Sequence, residues 1–91
     1  MAISAHFRHR GFTPATYDEA IRRLDAAGEG HPAGRLHHIA IDADGEIEVF
    51  DIWESPEALE AFGSAFMPIL QEFGVELHPP TIHPVRNTIL A

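Results

Sequence analysis

The sequence predicts an α+β fold of order strand-helix-strand-strand-helix-strand, and three observations predict it. Two runs carry apolar residues at helical spacing, each preceded by a hydroxyl-bearing residue and a proline. Between them, the β-rich runs "LHHIAID" and "EIEVFDIW" flank "ADG", a strong hairpin signal. Short β-like runs open and close the chain, so strands bracket both helices.

The first strand spans Ala2 to Arg8 ("AISAHFR"), which is short, apolar and alternating. Gly11 then turns the chain, Thr13 can cap a helix, and Pro14 suits its first position. In that helix Tyr17, Ala20, Ile21 and Leu24 form one apolar stripe, with Asp18, Glu19, Arg22, Arg23 and Asp25 on the remaining surface. "GEGHPAG" (Gly28 to Gly34) is a loop by composition. Ser55, Pro56 and Glu57 open the second helix, whose stripe is Leu59, Phe62, Phe66, Ile69, Leu70 and Phe73. Pro68 is expected to kink or divide this helix, because its ring removes a backbone donor and clashes with the preceding turn. Gly74 suits the end of it. "TIHPVRNTIL" (Thr81 to Leu90) reads as the last strand, with Pro84 favouring an edge or a bulge. The order is that of the ferredoxin-like split βαβ, an antiparallel sheet with both helices on one face.

Ninety-one residues are expected to make a single domain, 1–91, and for one this small association with a second copy is an expected source of stability. There is no cysteine, so neither a disulfide framework nor thiolate chemistry is available. The start of the chain lacks a signal-peptide pattern, and no apolar run approaches a membrane span, so a cytoplasmic location is expected. The net charge of -8 argues against nucleic acid and anionic membrane as partners, since both demand a basic face.

Strand parity sorts the candidate site residues. In the third strand Phe50 and Ile52 share one face, matched by Ile39 and Ile41 in the second, and this set is expected to meet the helices. Val49, Asp51 and Trp53 share the other face with Leu36, His38 and Ala40. That set is too apolar for a water-facing surface and too polar for a plain core, which is the character of a cavity wall. With Asp44-Gly45 as a two-residue loop, Ala43 pairs with Glu46, Ala40 with Val49, Ile39 with Phe50, and His38 with Asp51. In the last strand, Asn87 has the parity of His83 and Val85, and Arg86 the opposite one.

The seven histidines raise the question of a metal. His37 and His38 are adjacent on a strand and point to opposite faces, so they cannot chelate one ion together. His6, His38 and His83 can share a face, but they come from three strands without a carboxylate-rich ligand motif, so no metal is expected. His9, His31 and His78 read as solvated turn or loop residues.

The segments "GFTPATYD" (Gly11 to Asp18), "GRLHHIAIDADGEIEVFDIWES" (Gly34 to Ser55) and "PVRN" (Pro84 to Asn87), with their spacing, resemble the dimeric α+β barrel proteins of the antibiotic-biosynthesis-monooxygenase type, in particular its small actinobacterial members. The resemblance implies a homodimer in which two sheets pack face to face, and a pocket for a small aromatic or polyketide-like ligand. Some members are cofactor-free monooxygenases with a polar cluster of Asn, Trp and Arg or Tyr, a set that Trp53, Arg86 and Asn87 could resemble here. Others degrade haem with a histidine on the second helix. No histidine lies between Ser55 and Gly74, which argues against that activity, and no cofactor is expected. Many relatives carry His-Asn where this chain has Arg86-Asn87.

On this reading His38 and Asp51 are the candidate catalytic pair, His38 exchanging a proton with the substrate and Asp51 orienting its ring. Trp53, Asn87, His83 and His6 are the candidate substrate-binding residues. A deprotonated phenol or enol could then react directly with oxygen, or cyclise, without a cofactor. The competing class is a non-catalytic ligand-binding or structural dimer with the same cavity.

Overall fold

The computed structural model describes residues Met1–Ala91. The elements run β1 (Ile3–Arg8), α1 (Pro14–Ala26), β2 (Arg35–Ala43), β3 (Glu46–Trp53), α2 (Pro56–Glu72) and β4 (Thr81–Pro84). The strands form one antiparallel sheet in the order β2-β3-β1-β4, so the ferredoxin-like α+β fold read from the sequence is the fold observed.

Local chemistry accounts for the element ends. Thr13 and Ser55 cap the two helices, their hydroxyls accepting from the backbone N–H of Thr16 and Ala58, and a proline follows each cap. The β2–β3 hairpin turns through Asp44 and Gly45, with φ of 54° and 94°. Positive φ at both central residues is what a two-residue turn matched to strand twist requires, and Gly45 supplies one at no steric cost. Gly34, with φ of 87°, leads into β2 so close to α2 that a Cβ there would lie 2.6 Å from the Cβ of Ala58. Its carbonyl accepts from the N–H of Glu54 at 2.8 Å, tying the start of β2 to the end of β3.

The core sits between the sheet and the helices. β1 contributes Ile3, Ala5 and Phe7; β3 contributes Ile47, Val49 and Trp53; Ala20, Leu24 and Leu70 come from the helices, and Phe12 and Val75 from connections. This reverses the expected faces. Val49, Asp51 and Trp53 look at the helices, while Phe50 and Ile39, 40% and 57% exposed, lie on the open side. The reason is β1, the most strictly amphipathic strand. Its Ile3, Ala5 and Phe7 pair with Trp53, Asp51 and Val49, so its one apolar face carries those residues into the core.

Of the two outcomes expected at Pro68, division does not occur: it lies inside one continuous α2, where the packed stripe of Phe62, Phe66 and Leu70 outweighs one lost backbone bond. One further expectation is corrected. The final strand ends at Pro84 rather than reaching Leu90. Proline has no N–H to extend the ladder, and β4 is an edge strand, where such a residue is tolerated. No helix is long and apolar enough to cross a membrane.

Candidate functional site

A cavity of about 360 Å³ lies between the helix-facing side of the sheet and the helices. Phe7, Phe12, Leu24, Val49, Leu59, Phe62, Phe66 and Met67 make its walls mostly apolar, and the polar side chains that reach it include Tyr17, Arg35, His38 and Asp51. Such a lining, apolar with a few convergent polar groups, is that of a site for a small organic ligand.

These polar groups form a chain of hydrogen bonds. His38 and Asp51 stand opposite each other on β2 and β3, in the register that the two-residue hairpin dictates. His38 Nδ1 lies 2.7 Å from Asp51 Oδ1, and the indole Nε1 of Trp53 donates to Asp51 Oδ2 at 3.2 Å. On its other side, His38 Nε2 is 2.6 Å from the Tyr17 hydroxyl, and the planes of the two rings are nearly parallel, 4° apart. An ionised Asp51 accepts from both ring nitrogens, which places the His38 proton on Nδ1 and leaves Nε2 to accept from the Tyr17 O–H. Burial is the main influence on Tyr17 and pushes its phenol above the usual value, with Asp51 and Asp18 acting in the same sense and Arg35 opposing them. Tyr17 is therefore a neutral donor near pH 7. Arg35 holds its guanidinium over the Phe62 ring, 5.8 Å from the centroid, and donates to the Gly30 carbonyl at 3.1 Å.

The structure brings His38, Asp51 and Trp53 together and separates His6, His83 and Asn87 from them. Trp53 is fully buried and packs 5.4 Å from the Phe62 ring, so it belongs to the helix-facing core and not to the open face. Its contribution at the cavity is the hydrogen bond to Asp51. His6 stacks on Phe50 at 4.1 Å and bonds Glu48 at 2.8 Å, on the open face of the sheet. His83 pairs with Ser4, whose alternation with buried Ile3 and Ala5 also sets it on the open face. Of the three histidines expected to share a face, only His38 looks into the cavity. Asn87 and Arg86 lie beyond β4, exposed, so Asn87 does not have the inward placement that strand parity implied.

Three cavity residues were not singled out as site residues by sequence reasoning. Tyr17 reads as part of an apolar stripe; its signal was a single phenol among the aliphatic residues of that stripe. Arg35 stands at the loop–strand junction, where a cation looks solvated. His9 reads as a turn residue, yet it is 3% exposed and lines the cavity. Its Nδ1 accepts from the backbone N–H of His78 at 3.0 Å. Burial, reinforced by His78, pushes its pKa below 6.5. No group of three or more His, Cys, Asp or Glu side chains is placed to hold a metal ion.

Solved structures share this fold. The chain is similar to SnoaB, a cofactor-independent oxygenase from Streptomyces nogalater, with a TM-score of 0.61 and 17% identity over 97% of this chain and 94% of that one. It is similar to the ActVA-Orf6 monooxygenase of Streptomyces coelicolor, solved with the ligand nanaomycin D, with a TM-score of 0.57 and 18% identity over 99% of this chain and 90% of that one. A candidate antibiotic biosynthesis monooxygenase from Chloroflexus aurantiacus gives a TM-score of 0.56 and 19% identity over 99% of this chain and 97% of that one. The structural neighbours are thus proteins of the type the sequence resembles, and at these identities the likeness shows a common fold. No family model matches the sequence, and no curated protein is significantly similar to it.

Proposed function

We propose that this protein is a cofactor-independent monooxygenase acting on a small aromatic substrate with an acidic hydroxyl or an activated C–H. The observation that supports it is the chain Tyr17–His38–Asp51 ending in an apolar cavity. The Tyr17 oxygen accepts a proton from the substrate as its own proton passes to His38 Nε2, and Asp51 stabilises the imidazolium that forms. Arg35 offers a positive charge to the developing anion. The anion then reacts with molecular oxygen. For an activated methylene the step balances without a cofactor: one O2 converts CH2 to C=O and releases one water, the substrate supplying both hydrogens. The oxygenase and monooxygenase names of the structural neighbours support the same chemistry.

The working form in this proposal is a cytoplasmic homodimer joined through the open sheet face, where Ile39, Ile41 and Phe50 are exposed. The test is oxygen uptake with anthrone as substrate and no added cofactor. One O2 should be consumed per anthraquinone formed, and His38→Ala should reduce the rate to background. Anthrone binding to the wild type without oxygen uptake would instead establish a non-catalytic ligand-binding protein.

A further inference from the structure

Gly63 stands near the middle of α2, where a glycine weakens a helix through its extra backbone freedom and an alanine would serve the helix better. Crowding does not call for it, since a Cβ there would have no atom within 4 Å. Its four neighbours on the helix surface, Leu59, Glu60, Phe66 and Met67, lie three and four residues to either side and all line the cavity, as does Gly63 itself. A side chain at this position would therefore enter cavity space.

The same side of α2 borders the way in. Of the residues that line the cavity, the exposed ones are Pro56 and Glu60 on α2 and Ile82 on β4. Ile82 faces the helix side of the sheet, because it pairs with Ala5 and Ala5 pairs with Asp51, both of them buried. Its 46% exposure means that the helices leave this end of the sheet uncovered. The next pair in the row is Asp51 with His38. The row His38–Asp51–Ala5–Ile82 thus crosses all four strands, and the polar chain and the opening stand three strand spacings apart, about 14 Å.

We propose that Gly63 is a specificity-determining residue of the cavity. By carrying no side chain it keeps open a passage between α2 and β4, through which a flat aromatic ligand enters with its acidic group foremost. That group reaches Tyr17 and His38, and the opposite end of the ligand stands in the opening beside Gly63 and Ile82. The class this selects is an elongated aromatic, with a proton-bearing oxygen or carbon at one end and an extension at the other that the opening accommodates. This inference rests on the reading of the cavity as a small-molecule site, and not on turnover.

Two ligands that differ only at the far end test it: 2-naphthol and 6-benzyloxy-2-naphthol, titrated by their own fluorescence. The wild type should bind both, the longer one at least as tightly. Gly63→Ala should raise the urea midpoint, since the cavity and not the fold calls for glycine. Gly63→Leu, also a good helix former, should keep the circular dichroism of the wild type. It should weaken the longer naphthol by about tenfold or more, the scale on which overpacking acts, and 2-naphthol by less. In the wild type, nuclear Overhauser contacts should run from the benzyl protons to Gly63 and Ile82, and from the hydroxyl-bearing ring to Tyr17, a readout that needs no variant to fold. A longer naphthol rejected by the wild type, contacts in the reverse sense, a Gly63→Ala variant less stable than the wild type, or a Gly63→Leu variant that binds the longer naphthol undiminished or loses both ligands equally would overturn the role of Gly63 alone. Failure of both naphthols to bind the wild type would overturn it together with the small-molecule reading.

Discussion

Asp51 holds a ring nitrogen on each of its carboxylate oxygens: His38 Nδ1 at 2.7 Å and Trp53 Nε1 at 3.2 Å. It does so while 3% exposed, against a fully buried indole. A buried carboxylate persists only where such donors replace its lost hydration. Asp51 therefore ties the core, through Trp53, to the cavity, through His38, and the predictions about stability and activity diverge from that point.

Replacing Asp51 with Asn keeps the shape and turns one acceptor into a donor. One of the two ring N–H groups is then left facing an NH2. Unfolding in urea should show a loss of about 2 kcal/mol, the scale of a charge-assisted bond broken in a buried site. Oxygen uptake with anthrone should fall about a hundredfold or more, as expected when a general base loses its orienting group. A variant as stable and as active as the wild type would show that Asp51 fixes neither ring.

Tyr17→Phe removes one oxygen and leaves the packing of the ring against Phe12 and His38. The stability change should stay within about 1 kcal/mol, because one part-buried hydrogen bond is lost and no cavity opens. Turnover should fall by about tenfold or more, since a proton must then reach His38 Nε2 without the hydroxyl between. If kcat is unaltered while KM rises, the hydroxyl binds substrate and does not carry its proton.

The hairpin register was legible because its causes are local. Asp44 and Gly45 accept positive φ, a two-residue loop leaves no slack, and His38 falls opposite Asp51 by counting. The helix caps were legible for the same reason. Which side of the sheet meets the helices was not legible from β2 and β3, since Ile47, Val49 and Trp53 on one side and Ile39, Ile41, Phe50 and Ile52 on the other are both apolar sets. The deciding information was in β1, where Ile3, Ala5 and Phe7 alternate with Ser4, His6 and Arg8. Strand parity alone could not use it, because only the antiparallel pairing of β1 with β3 transfers that polarity to Asp51. Asn87 was misplaced for a different reason: extended-chain alternation was continued past the end of β4, where the Val85 N–H makes one more bond, to the Ala2 carbonyl, and the residues beyond are exposed.

The two apolar sides of the sheet make opposite predictions for the same kind of change. Ile39 and Phe50 are paired neighbours on the open face, and Val49 lies under the helices. Placing a carboxylate at Val49 (Val49→Asp) buries an unpaired charge and should unfold the domain, a cost on the order of several kcal/mol. Ile39→Asp should leave the circular dichroism unchanged, because the site is already 57% exposed. If the open face joins two copies, light scattering should show twice the chain mass for the wild type and the single-chain mass for Ile39→Asp. A wild type of single-chain mass at micromolar concentration would remove the dimer from the proposal.

His9 should give the domain an acid limb of its own. Its folded-state pKa lies below 6.5, chiefly because burial disfavours the charged ring and secondarily because of His78. In the unfolded chain the same imidazole binds its proton near the reference of about 6.5. Between the folded value and about 6.5 the unfolded state therefore holds more protons, so stability rises with pH across that window. The contribution is fully present above about 6.5 and is lost as the pH falls through the folded value. His9→Asn removes this titration while six other histidines remain in both proteins. The difference in urea stability between wild type and variant should accordingly be largest near pH 8 and shrink as the pH falls toward about 5, the slopes set by proton uptake on unfolding. A difference independent of pH over that range would mean that His9 binds its proton equally well in both states, and that its surroundings do not hold it neutral.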